Sequence, residues 1–497
     1  MGIQYMSRAA IVALIAVSAI AVSLSAQQQA GEQRLKPAHH QYRFVDLGTF
    51  GGANSNVNSD SVVINKDGAV VGGAETTVFD PLSGGATIHA FKWYKNVLTD
   101  LGTLAGGASS FPNAINSRGV VVGASSNGSI DPQTGLESWA ATAWANGRVI
   151  NLGTFGGSFS IAGAINDRNQ IAGAAENDIP DPFNFAGVAG LPSPTQWCAT
   201  LWQDGKMKDL GVLGNGTQSA GALINERGQI VGFALTDSVI NPTTGYPTIA
   251  PFLWENGRMI DLGTFGGFWG SPSGLNNRGQ VVGSSDLPGD QTAHPFLWER
   301  GVLRDLGTLG GTYGGANWVN EKGDVVGISS IANDAAYDGF LWHNGKMIDL
   351  GSVAGDGCSN AQSINSSGQI VGESFSCSVD SHHAFLWENG GPAIDLNIFV
   401  PAGSDLHLNE AQFIGEGGEI AGLALLGNGD THAFLLIPLP ADSSDAASAS
   451  ESLQANAAAT LQSSTQIVQD PLTPEQSAAL RKHFVHKHRG FAFKSTN

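Results

Sequence analysis

APFLWENGRMIDLGTFGG, residues Ala250–Gly267, reads as strand, tight turn, strand and glycine-rich exit. Phe252 and Trp254 alternate with smaller residues, and Asn256-Gly257 is a strong hairpin signal. Met259–Leu262 then carries the return strand. Versions of this stretch recur along most of the chain, so one structural unit is repeated throughout.

Three motifs alternate in fixed order. Asp-Leu-Gly begins at Asp46, Asp100, Asp209, Asp261, Asp305 and Asp349, with Asn151 in one copy and a degraded one at Asp395. Ile-Asn-x-x-Gly-x-Val-Val-Gly centres on Asn65, Asn116, Asn166, Asn225, Asn276, Asn320 and Asn365, with a worn copy at 414–422. His-Ala-Phe-Leu-Trp ends at Trp93, Trp144, Trp202, Trp254, Trp298, Trp342 and Trp387, and a last copy starts at His432. The second motif is itself a hairpin whose turn glycine needs positive φ; where Asn169 replaces that glycine, the substitute is the residue that best tolerates the left-handed region.

Two hairpins per repeat make four strands per repeat. Four-stranded units of this length, repeated eight times, predict an all-β fold, an eight-bladed β-propeller of antiparallel blades. Parallel β-helices use shorter coils and rank behind it. Small residues such as Ser160-Ile161-Ala162-Gly163-Ala164 suit a first strand facing a crowded centre. The array opens with an orphan fourth strand at 42–48 and closes with a third strand at 432–438. Their pairing would close the ring and leave no open sheet edge.

The three linked motifs, with His89-Ala90-Phe91, His383-Ala384-Phe385 and His432-Ala433-Phe434 as outright matches, resemble the extracellular HAF-repeat family over about 400 residues. The resemblance implies a secreted bacterial repeat protein and brings no established catalytic residues.

Residues 1–26 read as an export signal: Arg8 precedes the apolar run Ala9–Val22, and small residues follow before Gln27. An uncleaved anchor is the alternative. Residues 27–41 form a linker, 42–440 the propeller, 441–472 a Ser/Ala-rich linker, and 473–497 a basic tail with a short helix from Thr473 to about Phe484. The tail histidines His483, His486 and His488 read as part of a solvated basic end. No integral membrane domain is expected after signal removal.

Among 497 residues there are 67 glycines and only 13% are charged, which suits many tight turns. A formal charge of −19 argues against nucleic acid as partner. An extracellular glycan or protein fits better. Repeated residues are poor catalytic candidates, because copies spread around a ring cannot serve one site. The useful departure from symmetry is the loop between second and third strands. The step from Gly72 to His89 is 17 residues, and its counterparts are 17, 25 and 18 in the next three repeats; the last four have 11, 11, 11 and 10. Long loops on a rigid scaffold commonly carry function.

Those loops supply the candidate ligand-binding residues Asp80, Asp131, Asp178, Asp181, Phe183, Phe185, Trp197 and Tyr246. Aromatic faces beside carboxylates suit a sugar, and they equally suit a loop packing itself down. The turns Asp80–Gly84, Asp131–Gly135 and Asn241–Gly245 share Asp/Asn first, Pro second and Gly last. No catalytic, metal or cofactor motif is present, so neither a metal nor a cofactor is expected. A polysaccharide hydrolase or lyase and a purely structural repeat stand as alternatives to a binding scaffold. Cys358 and Cys377 flank a motif-two hairpin and are expected to form a disulfide across it, opposite or within one residue of opposite. Cys198 is expected to stay free.

Overall fold

The computed structural model describes residues 39–440 apart from 59–60, 81–83, 184, 186–193, 243, 354 and 378–381. The expected signal segment, the Ser/Ala linker and the C-terminal helix therefore lie outside the described residues. Within them, strands follow one another in antiparallel units of four, with a few residues of 3-10 helix and no α-helix. The units run over 51–100, 110–151, 156–209, 219–261, 270–305, 310–349 and 358–395; the last joins 406–438 to Tyr42–Asp46. The fifth and sixth are linked by a single parallel pair, Ala293 with Tyr313. None of the described sheets closes on itself. This is a propeller-type fold: all-β, with successive four-stranded sheets packed face against face.

The second motif builds the turn between strands one and two. Each asparagine Oδ1 accepts the N–H groups two and four residues on, as Asn276 does from Arg278 and Gln280. Its Nδ2 donates outward to the carbonyl of the next unit's asparagine. The links run Asn65 to Asn116, Asn166, Asn225, Asn276, Asn320 and Asn365 in turn, and finally to Gly415. One residue type thus fixes its own turn and registers seven pairs of neighbours. The motif's last glycine has an equally local cause. At Gly123, Gly232, Gly327 and their counterparts, an added Cβ would overlap a carbonyl oxygen of strand one. The close approach occurs where a one-residue bulge shifts the pairing of strands one and two.

The first and third motifs meet at the other end of the sheet. Every Asp-Leu-Gly aspartate, Asn151 and Asp395 included, accepts through Oδ1 the N–H two residues on. His89, His294 and His432 each place Nδ1 on that aspartate's carboxylate across the strand pair, at 2.8–3.0 Å from Asp100, Asp305 and Asp46. The histidines and aspartates that sequence reasoning assigned to structure are therefore used against one another. His383 departs from this pattern and meets Asp356 instead.

In five of the eight units a serine on strand one staples the unit to the one before it. Ser110, Ser160, Ser219 and Ser359 accept a strand-three N–H (Ala90, Ala141, Ala199 and Gly339) and donate to the Asp-Leu-Gly glycine carbonyl. Where strand three carries Pro251 or Pro295 there is no N–H to satisfy, and the serine is replaced by Gly270 or Gly314, packed against the proline ring. Each such staple contributes about 1 kcal/mol, so a chain of them matters more than any single one.

Cys358 and Cys377 form the expected disulfide with a Cα–Cα distance of 5.4 Å. Cys358 pairs with Phe375, so Cys377 sits two residues past the opposite position rather than within one. The bulge between Ala361 and Ser363 moves the register by one residue. Cys198 is free, and burial followed by the neighbouring Asp209 pushes its thiol up to about 12.

Candidate functional site

The extra length extends the paired strands in the first three units and lies in the connection 236–248 in the fourth. Strand two runs Val70–Asp80, Val121–Ile130 and Ile171–Pro180 in units one to three, against Ile230–Leu235, Val281–Asp286, Val325–Ile331 and Ile370–Phe375 in the next four. Beyond the sheet proper each long strand breaks register at one equivalent place and then pairs again, ending at Asp80–Gly85, Ile130–Glu137 and Pro180–Thr195. The related turns close as their sequences imply. Gly84, Gly135 and Gly245 adopt φ of 76°, 71° and 77°, and each N–H returns to the carbonyl of Asp80, Asp131 or Asn241.

The candidate carboxylates are used within this architecture. Asp131 accepts from Gln133 N, Thr134 N, Thr134 Oγ1 and, across the unit boundary, Ser158 Oγ at 2.5 Å. Burial pushes its carboxyl up, but those hydrogen bonds outweigh it and leave Asp131 below the usual range. Asp181 gathers Phe183 N, Phe185 N and Gln218 Nε2. Asp80 is buried where its hairpin turns, and Asp178 stands exposed on its strand. Glu137, which faces Asp80, has its carboxyl raised chiefly by burial.

The candidate aromatics do come together. Phe183, Phe185, Trp197 and Tyr246 join one cluster with Trp139, Phe159, Phe233, Phe268 and Trp269. Phe185 lies 5.4 Å from Phe233, which lies 5.8 Å from Trp269. Phe185 is 2% exposed and Trp197 4%, so these rings fill the cluster instead of presenting faces to solvent.

What sequence reasoning missed is the apolar residue just outside each turn. Phe79, Ile130, Ile179 and Ile240 are 65%, 48%, 51% and 53% exposed, and Val78, Leu136 and Val239 extend the row. The signal was present: in Phe79-Asp80-Pro81, Ile130-Asp131-Pro132 and Ile240-Asn241-Pro242 a large apolar residue precedes each Asp/Asn-Pro. Among the described hairpins of the shorter units, Leu425 at 37% is the exposed large apolar residue.

Charge divides the two faces. Sixteen Lys and Arg fall between residues 42 and 440, in turns joining strands one and two or on the third and fourth strands and their turns. None lies in a hairpin between strands two and three or in a crossover to the next unit. The hairpin face carries carboxylates without cations. The sixth unit sharpens this: Asp338 stands where other units have histidine, opposite Asp349. Burial, then repulsion from Asp349, pushes the Asp338 carboxyl up to about 7.

No protein-family model matches the chain, and no curated protein does. Among solved structures, Porphyromonas gingivalis dipeptidyl peptidase 4 is similar at 10% identity and a TM-score of 0.41, over 76% of this chain and 57% of that one. A Xanthomonas campestris gluconolactonase is similar at 12% identity, TM-score 0.30, over 80% of this chain and 90% of its own. TolB from Acinetobacter baumannii gives 10%, 0.31, 80% and 97%. Likenesses this distant say nothing of activity, and the fold rests on the sheets and the bonds between them.

Proposed function

We propose that the chain is an exported, eight-bladed propeller of the HAF-repeat type, comprising residues 42–440, and acts as a binding scaffold through the hairpin face of its first four blades. Closure is supported by the N-terminal strand, which completes the last unit, and by that unit's bond to the first. Leu47 N donates to Ala433 O as Leu101, Leu152 and Leu210 do to Ala90, Ala141 and Ala199, and Ser55 Oγ accepts Ala433 N like the other staples. Contacts that skip a unit fit a ring and not a straight stack. Ser61 Oγ donates to Gly163 O two units on, and Trp318 meets Phe413 edge-on at 5.6 Å. Export is supported by the Cys358–Cys377 bond.

The observation that carries the binding role is the set of large exposed apolar residues on the four long hairpins, where the described short hairpins expose Leu425 alone. Contiguous exposed apolar surface marks interaction sites. Three isoleucines beside Phe79 favour a protein partner over a glycan, and the cation-free face disfavours anionic polysaccharides. The test is to incubate the full chain with insoluble neutral polysaccharides, assaying both retention and released reducing ends. The favoured reading predicts no release and weak retention. Release of reducing ends would overturn the scaffold reading in favour of a hydrolase or lyase, and strong retention lost on shortening 178–197 would make the ligand a glycan.

A further inference from the structure

We propose that the apolar row of the first four hairpins is a dock for the chain's own basic C-terminal segment, Thr473–Asn497. This rests on the reading of that face as a binding surface and names an occupant for it. The face pairs exposed Phe79, Ile130, Ile179 and Ile240 with Asp178, Asp237 and Glu137, and has no Lys or Arg to repel a cation. Segment 473–497 has the complementary composition: Arg481, Lys482, Lys487, Arg489 and Lys494 against Glu475 alone, interleaved with Leu480, Phe484, Val485, Phe491 and Phe493. The opposite face is less suited, since Arg118, Arg168, Arg227, Arg278 and Lys322 line its turns.

Reach is sufficient. The last described strand, Thr431–Pro438, runs from the hairpin face to the asparagine face, so the segment must return across the thickness of one sheet. Residues 441–472 span roughly 100 Å when extended at ~3.3 Å each, several times that thickness. Tethering also supplies an effective concentration on the order of millimolar, so a weak contact is enough to keep the face covered. An external partner for the face then has to displace the segment.

Carbodiimide cross-linking of the full chain at low protein concentration and low salt, read by mass spectrometry, tests this. A mixture of 14N- and 15N-labelled protein separates links within one chain from links between copies. The expected result is same-chain links from Lys482, Lys487 or Lys494 to Glu137, Asp178 or Asp237, falling at least threefold in 0.5 M salt. Ile179→Ser, which removes apolar surface without adding charge, should lower them by a similar factor, with thermal unfolding as its folding control. Three results would overturn the proposal: links to Asp167, Glu226 or Glu321 on the opposite face, links only between copies, or no links in the wild-type chain. The wild-type result stands whatever the variant does. If an external ligand is retained through 178–197 while these links are absent, the binding face survives and its proposed occupant fails.

Discussion

Units one to four and units five to seven share one scaffold and differ in what their hairpins do. In the fifth unit Leu287 and Asp290 close a short turn over the sheet, and Asp290 Oδ1 accepts Phe268 N. In the third unit the hairpin is several residues longer; it folds Phe185 and Trp197 inward and leaves Ile179 outside. The asparagine links between units and the leucine N–H bonds that close each unit are nonetheless the same on both sides, while the serine staple gives way to glycine at the fifth and sixth units. Chain length has been added where none of these repeated bonds depends on it, and it gains bonds of its own to the next unit through Asp131–Ser158 and Asp181–Gln218. This is why the long hairpins, and not the repeated residues, are the place to look for function.

The comparison breaks if the two halves do not share their joints. Gly123→Ala in a long unit and Gly327→Ala in a short one should be equally damaging, because each Cβ would meet a strand-one carbonyl oxygen. A loss of at least about 3 kcal/mol is expected from either, read by denaturant unfolding. A large loss at one site only would show that the halves are built differently.

A change inside the long-hairpin cluster should act on that half alone. Phe185→Ala empties a site packed by Phe233 and should cost about 3 kcal/mol, or loosen the 178–197 hairpin if that part unfolds separately. Proteolysis confined to 178–197 would sharpen the contrast, whereas an unchanged midpoint and unchanged cleavage would contradict the packing described.

The smallest expected effect lies in the short half, at Asp338. Its carboxyl is raised from the usual range to about 7, by burial and then by Asp349. The folded chain thus holds a proton that the unfolded chain releases between about pH 4 and 7. Stability from this group is greatest below that window and falls as pH rises through it, levelling off above pH 7. Asp338→Asn removes the fall, so the variant should be more stable than wild type by about 1–2 kcal/mol at pH 8, with the advantage shrinking toward pH 4. An advantage independent of pH would assign the effect to packing.

The sequence was legible where one physical demand repeats. Gly232 and its counterparts announce a close strand crossing, Asn276 a turn, and Asp261 the end of a fourth strand, so the four-stranded unit could be read from any copy. The reach of Asn276 Nδ2 to the next unit was not legible, because a bond between repeats leaves no trace in the spacing within one. The exchange of serine for glycine opposite Pro251 and Pro295 could have been found by reading each repeat against its successor. The candidate side chains also carry structural bonds that the sequence did not show. Asp131 and Asp181 look like ligand groups in isolation, but turn N–H groups and neighbouring side chains draw on both carboxylates. Trp197 and Phe185 look like sugar platforms, yet nearby Phe233 and Trp269 offer a dry surface that buries them. The cysteine pair was found and its register missed, since a bulge adds a residue that periodicity cannot see.

The most direct test of the ring itself is native-state amide hydrogen exchange at single-residue resolution. If the chain closes as proposed, Leu47, which holds the N-terminal strand in the last unit, and Ala433, whose N–H reaches Ser55 of the first, exchange as slowly as Leu210 and Ala199, which make the same bonds inside the array. Exchange at Leu47 and Ala433 faster by several orders of magnitude, with the interior joints protected, would show an open array and contradict the account.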